Sequence, residues 1–281
     1  MFREQPSVMQ PAATEQDARE RLRILDEVVA NREAHAPPAA LLWLQLLNGV
    51  LVAAFAGVLP FALKGPMPVS MLLVIPLLVT TGLIGGARER FDVRRGPSKF
   101  QWVALMVGFA GFLAVMVYTV LFEVTPLRVA AGSAVVLFLG VAMRPVLDLR
   151  KAYATSERSR MLSAALSPPA RRTTIIIGAG LGFLVALAPF SLAASIASTG
   201  LIVLSTLAIV SQASPWSLHW VGFEWGVTQW TAFWVSVTVL FAVAVVTLQQ
   251  GHVSPVVTIV AGCGIFAIMT LASARKQPSE R

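Results

Sequence analysis

Eight apolar runs of membrane-spanning length divide the sequence, and they constrain the fold more than any other feature. The hydrocarbon core of a bilayer, ~30 Å thick, is crossed by a helix of about 20 apolar residues. The sequence therefore predicts an all-α fold, a polytopic transmembrane helical bundle of about eight spans. The predicted spans are 40–63, 68–86, 100–122, 126–147, 172–189, 191–212, 229–249 and 253–273.

Composition excludes most other classes of protein. Only 13% of the 281 residues are charged, whereas 56% are hydrophobic, and soluble domains have about 25% charged residues. The single cysteine, Cys263, excludes a disulfide framework and a cysteine-based metal centre. The sequence contains no serine-hydrolase elbow, phosphate-binding loop or HExxH motif. We therefore expect a protein that is not an enzyme, with no catalytic, metal-binding or cofactor-binding residues and no cofactor.

Prolines predict where some of these helices turn or bend. The apolar run 173–212 would form a helix of about 60 Å if it were straight. It must therefore turn, and Pro189 with Ser191 marks the expected corner. Pro76 and Pro145 lie inside the second and fourth spans, where they should kink or end their helices.

Basic residues predict the orientation of the chain. On this layout 20 of the 22 lysines and arginines lie on one side, and only Lys64 and Arg128 lie on the other. Because loops rich in Lys and Arg stay in the cytoplasm, both termini are expected there. The predicted location is the cytoplasmic membrane, and the excess of arginine over lysine indicates a bacterial source.

The same layout divides the chain into five segments. A cytoplasmic arm (1–38) contains a predicted amphipathic helix over 14–34, and a cytoplasmic tail covers 274–281. Between them lie a first four-span half (39–148), a connector (149–171) and a second four-span half (172–273). The amphipathic helix fits a surface or membrane-interface helix; the alternatives are a short coiled coil or a helix that docks a partner.

One cytoplasmic connection lacks basic residues and is rich in tryptophan. Residues 214–228 contain Trp216, Trp220 and Trp225 but no lysine or arginine. Because tryptophan favours the headgroup zone of a membrane, we interpret this connection as a short interfacial segment. Its 15 residues are too few to span the bilayer.

Matching sequence positions suggest that the two halves are repeats. Gln101-Trp102 recurs as Gln229-Trp230 after 128 residues, and Pro60-Phe61 recurs as Pro189-Phe190 after 129. A 4+4 parallel internal repeat would relate the halves by an axis along the membrane normal. Coincidence is the alternative, because chance matches are common in a chain rich in Leu, Val, Ala and Gly.

Polar side chains inside the spans are the first group of candidate site residues. No Asp, Glu or Lys lies near the middle of a span, which argues against a carboxylate proton relay. The candidates for a polar cavity between the halves are Gln45, Asn48, Tyr118 and Thr119. The alternative is that these groups form interhelical hydrogen bonds that hold the bundle together.

Basic residues between the second and third spans are the second group of candidates. Such a cluster attracts anionic lipid headgroups, and docking of a cytoplasmic protein is the alternative. The residues are Arg88, Arg90, Arg94, Arg95 and Lys99. Because the basic charge lies in loops that set the topology, nucleic acid is not an expected partner.

These features favour three functions. The first is a transporter or permease-like protein for a neutral or apolar small molecule. The second is a non-catalytic membrane scaffold or regulatory protein that acts through the 14–34 helix and the basic loops, alone or as a homo-oligomer. The third is an accessory permease subunit that works with a separate ATPase docked on the 149–172 connector.

Overall fold

The fold is described by a computed structural model over residues 39–63, 67–91, 99–154, 166–211, 214–251 and 253–275. These ranges form nine helices. They are α1 (Ala39–Ala62), α2 (Met67–Arg90), α3 (Lys99–Phe122), α4 (Leu127–Ala154), α5 (Pro168–Leu187), α6 (Ser191–Val210), α7 (Leu218–Glu224), α8 (Val227–Gln250) and α9 (Pro255–Ala274). The predicted amphipathic helix over 14–34 lies outside the described residues.

Eight of these described helices are long and apolar enough to cross a membrane; the exception is α7, with seven residues. The prediction of an all-helical, multi-span membrane protein is therefore confirmed. The expected corner in the long apolar run is confirmed as well, because α5 ends at Leu187 and α6 begins at Ser191.

Two helices extend beyond their predicted apolar spans. Helix α2 continues through Pro76 to Arg90, and α4 continues through Pro145 to Ala154. In α2 the Thr80 hydroxyl donates to the Pro76 carbonyl at 2.6 Å, the i−4 bond that Ser and Thr side chains make within helices. Neither proline ends its helix, and the first residues of the predicted connector belong to α4.

Helix α5 begins before its predicted span. The prediction placed Ser167-Pro168-Pro169 in the connector, whereas the helix starts at Pro168. Ser167 is the N-cap, and its hydroxyl accepts a hydrogen bond from the Ala170 N–H at 3.4 Å. Proline is favourable at the first helical position because the N–H it lacks would have no partner there. These residues therefore begin a helix and do not form an extended linker.

Within each predicted half, the first and fourth helices pack most extensively. In the first half this pair is α1 with α4, and α4 also packs against α3. In the second half the pair is α5 with α9, and α9 also packs against α8. Glycines permit the close approach, since a Cβ added to Gly178 would lie 2.5 Å from the Met269 Cβ.

The two halves meet mainly through α2. This helix contacts α6, α7 and α8, and its buried side chains include Leu72, Leu73 and Leu83. Helices α3 and α6, in contrast, leave most of their apolar residues exposed, as expected for surfaces that face lipid. The line of contact between α2 and the second half is called the seam below.

Candidate functional site

Helices α2 and α7 cross in backbone contact at one end of the seam. A Cβ added to Gly86 would overlap the carbonyl oxygen of His219, and one added to Gly222 would overlap the carbonyl oxygen of Leu83. Only glycine fits at such a crossing, because any larger residue would push the two backbones apart. Gly82, Gly85 and Gly86 of α2 all face α7.

Polar contacts join α7 to its neighbours at this crossing. Arg90 Nη1 donates to the carbonyl oxygens of Trp225 at 3.0 Å and Phe223 at 3.3 Å. The Glu89 carboxylate contacts the His219 ring. These contacts fix the C-terminal end of α2 to α7 by charge-assisted hydrogen bonds, the strong class in proteins.

The C-terminal end of α7 is also joined to α5. The Glu224 carboxylate accepts hydrogen bonds from the Ser167 N–H and the Ser167 hydroxyl, each at 2.7 Å. A carboxylate there is favourable because the N-terminus of a helix has partial positive charge. Helix α7 therefore connects α2 of the first half to the start of α5 in the second half.

A buried aromatic cluster extends this connection to α8. Trp225 is fully buried, and its Nε1–H donates to the Thr174 hydroxyl at 2.9 Å. Its ring packs edge-on against Trp230 with centroids 5.2 Å apart, and against Phe233 at 5.6 Å. We call α7, these aromatic residues and the polar contacts above the α7 junction.

The α7 junction corrects one detail of the sequence interpretation. All three tryptophans of 214–228 were expected at the membrane interface. Trp216 and Trp220 are exposed, as that interpretation requires, but Trp225 is buried in the bundle. Its indole N–H has a partner inside the protein, Thr174, so burial leaves no hydrogen bond unmade.

A small apolar pocket lies on the seam beside the α7 junction. It is formed by α2, α5, α6 and the first residue of α7, and its volume is about 90 Å³. Lining residues from the three long helices include Ile75 and Val79, Thr173 and Ile177, and Leu201 and Ser205. This cavity is called the seam pocket.

The seam pocket contains hydroxyl groups but no charged side chain. Thr173 and Ser205 are its polar lining residues. The Thr173 hydroxyl is buried without a hydrogen-bond partner, and an unsatisfied buried polar group costs about 1–3 kcal/mol. A cavity of about 150 Å³ holds benzene. The seam pocket is smaller, so it accepts a slender apolar group with one hydrogen-bonding atom near Thr173.

The four residues predicted to form a polar cavity do not come together. Gln45 and Asn48 are half-buried in the first part of α1, and the Asn48 Oδ1 atom is buried without a hydrogen-bond partner. Tyr118 is exposed near the end of α3, and the buried Thr119 hydroxyl contacts Thr125 at 3.5 Å. None of the four lines the seam pocket.

Glycine contacts show how far apart the two pairs lie. Gly49 packs against Ala142, and nearby Gly140 packs against Leu105 of α3. Asn48 is therefore at about the level of Leu105. Thr119 lies 14 residues further along α3, which is about 20 Å at 1.5 Å per residue.

The predicted basic cluster is described only in part. Arg88 and Arg90 end α2, and Lys99 begins α3, whereas Arg94 and Arg95 lie outside the described residues. Arg88 and Lys99 are exposed, but Arg90 donates to the carbonyls of the α7 junction. We call this end of the bundle, where α2 ends and α5 begins after the connector, the basic end.

No known family model, curated protein or solved structure matches the chain. Within the described ranges, no group of three or more His, Cys, Asp or Glu side chains could hold a metal ion. The candidate site is therefore the seam pocket together with the α7 junction, and its function is inferred from geometry and chemistry.

Proposed function

We propose that this protein is a permease-like, non-enzymatic membrane protein that binds a neutral or apolar small molecule in the seam pocket. The observation that supports this proposal is the pocket's position between α2 of the first half and α5 and α6 of the second. Transporters with two repeats bind their substrates at the interface between them. The uncharged lining favours a ligand whose buried part carries no charge.

The packing supports a 4+4 parallel repeat as part of this proposal. In each half the first and fourth helices form the most extensive pair, and the second helices of the two halves, α2 and α6, contact each other. That arrangement is expected when an axis along the membrane normal relates two parallel halves. Movement of one half against the other would then change the volume of the seam pocket.

We propose that the basic end faces the cytoplasm. The α7 junction joins the end of α2 to the start of α5, and both helix ends adjoin connections rich in arginine. The 214–228 segment, which has no basic residues, thus lies at the same end as these loops. This arrangement supports both termini in the cytoplasm of a bacterial cell, with the bundle in its cytoplasmic membrane.

Cysteine accessibility tests the permease proposal. Because Cys263 is the only cysteine, Cys263→Ser gives a background without thiols. In that background Ser205→Cys places a thiol on the seam pocket, and Thr206→Cys places one on the exposed face of α6. N-ethylmaleimide reacts with the thiolate, which forms in water and not in lipid.

A permease exposes its binding site to water in at least one of its conformations. We therefore expect N-ethylmaleimide to label Ser205→Cys and not Thr206→Cys in membrane vesicles. If neither variant reacted, water would not reach the seam pocket, and this result would overturn the permease proposal. The test requires no knowledge of the substrate.

The α7 junction favours a second function, a scaffold or an accessory permease subunit that works with a separate ATPase. Its hydrogen bonds and buried aromatic side chains fix the two halves to each other at the basic end, as a rigid platform requires. Deletion of residues 1–36 separates the two functions. It should leave ligand binding at the seam pocket intact in a permease and abolish the action of a scaffold. Co-purification with an ATPase would favour the accessory subunit.

A further inference from the structure

A basic residue of α5 lies next to the lining of the seam pocket. Arg172 is exposed on the first turns of α5, directly before Thr173 of the pocket lining. It precedes Ile176, another lining residue, by four positions, which places both side chains on the same face of the helix. A ligand that fills the pocket therefore has a cationic group within reach at the basic end.

The seam pocket opens sideways towards the lipid. Ile176 and Leu204 line the pocket, yet 56% and 60% of their surfaces are exposed. They lie on α5 and α6, two of the helices predicted to cross the membrane. At about 90 Å³, the pocket is far smaller than the ~300–1,000 Å³ of sites for drug-sized ligands. A short segment of a flexible hydrocarbon chain, entering from the bilayer, fits both the opening and the volume.

The buried Thr173 hydroxyl identifies where a polar atom of the ligand should lie. It has no hydrogen-bond partner in the protein, and Thr173 itself is only 7% exposed. It lies between the apolar part of the pocket and Arg172. An ester group has this position in a glycerophospholipid, between the hydrocarbon chain and the phosphate.

We infer that the seam pocket holds the segment nearest the ester of one acyl chain of an anionic glycerophospholipid from the leaflet at the basic end. The Thr173 hydroxyl donates to an ester oxygen, and Arg172 pairs with the phosphate. The Glu224 carboxylate already caps α5 at Ser167, so the phosphate meets the side chain of Arg172 and not the end of the helix. This inference rests on the proposed function and specifies its ligand: the buried part is apolar, and the charge stays outside the pocket.

Two photoreactive lipids test the inference on the purified full-length protein in phosphatidylcholine nanodiscs. One is phosphatidylglycerol with a diazirine in one acyl chain, and the other is a diacylglycerol with the same chain and no phosphate. The labelled residues are located by mass spectrometry. We expect phosphatidylglycerol to label the pocket-lining segments of α5 and α6 in a saturable manner.

Substitution of Arg172 distinguishes the head group from the chain. A contact between an arginine and an anionic head group is worth about 1 kcal/mol, so Arg172→Gln should weaken phosphatidylglycerol labelling about fivefold and leave diacylglycerol labelling unchanged. Arg171→Gln is the matched control, because Arg171 is equally exposed but points about 100° away around α5. Thr173→Val should weaken the labelling by both lipids.

The outcomes separate this inference from the proposed function. Equal labelling of the pocket by both lipids, with no effect of Arg172→Gln, would overturn the phospholipid inference and leave an apolar ligand site. Labelling spread over the lipid-facing surface, with none that saturates at the pocket, would overturn the lipid ligand but not the permease proposal, which the labelling of Ser205→Cys tests separately. Arg172 and Arg171 are exposed, so neither substitution is expected to prevent folding.

Discussion

The crossing of α2 and α7 makes a quantitative prediction about Gly222. An added Cβ at this position would lie 2.6 Å from the carbonyl carbon of Leu83 and 2.8 Å from its Cα. Ordinary contacts of a Cβ begin at 3.4 Å, so the two backbones would have to separate by at least about 0.8 Å (3.4 − 2.6) to clear the carbonyl carbon, and by more to clear the carbonyl oxygen. Backbone atoms cannot rotate aside as a side chain can, and the whole α7 junction would have to shift.

Gly222→Ala should therefore destabilise the protein strongly. Overpacking of a well-packed interior costs typically 1–3 kcal/mol, and the rigid neighbour places this substitution near 3 kcal/mol. At roughly 2–4 °C per kcal/mol for a chain of this size, Tm should fall by roughly 6–12 °C. Thermal unfolding in detergent, followed by tryptophan fluorescence, measures the change because Trp225 and Trp230 are buried beside α7.

A glycine in open space provides the control. Gly264 in α9 has no atom within 4 Å of an added Cβ, so Gly264→Ala should leave Tm unchanged or raise it slightly, since alanine is the better helix former. Equal values of Tm for Gly222→Ala, Gly264→Ala and the unmodified protein would refute the close crossing.

Three further substitutions test the polar contacts by the same unfolding measurement. Glu224→Ala removes two hydrogen bonds to Ser167 and should lower the free energy of unfolding by about 2 kcal/mol; an unchanged value would contradict the cap. Trp225→Phe removes the hydrogen bond to Thr174 and should lower the free energy of unfolding by about 1 kcal/mol; an unchanged free energy would contradict this hydrogen bond. Asn48→Leu removes an unpartnered buried oxygen and should raise it by about 1 kcal/mol, whereas a loss of stability would show that Asn48 has a partner. If Asn48 lined a polar ligand cavity, this substitution would also weaken ligand binding, and we expect no such loss at the seam pocket.

The sequence predicted the helices that cross the membrane better than it predicted where they end. A helix that crosses the bilayer needs an apolar run as long as the hydrocarbon core is thick. All eight spans could therefore be located from the lengths of the apolar runs. A helix continues beyond the hydrocarbon wherever its backbone remains bonded, as α2 does to Arg90 and α4 to Ala154. The start of α5 was missed because Ser167-Pro168-Pro169 can begin a helix as well as form a linker.

The candidate site could be predicted far less well. Its contacts join residues that are distant in the chain, such as Ser167 with Glu224 and Arg90 with Trp225, and no local pattern encodes such pairs. The glycines of α2 permit close packing but do not identify the partner helix. Polar residues inside the spans drew attention to Asn48 and Thr119, which lie about 20 Å apart along the bundle, whereas the seam pocket is lined mainly by apolar residues.

Photolabelling with a small neutral alkyl diazirine tests the central claim most directly, namely that the seam pocket binds a neutral or apolar molecule. We expect saturable labelling of residues 173–181 and 201–208, and Ser205→Phe should abolish it by filling the pocket. Thr206→Phe, on the exposed face of the same helix, should leave that labelling unchanged. Labelling that never saturates and follows only the lipid-exposed surface of α3 and α6 would contradict the account.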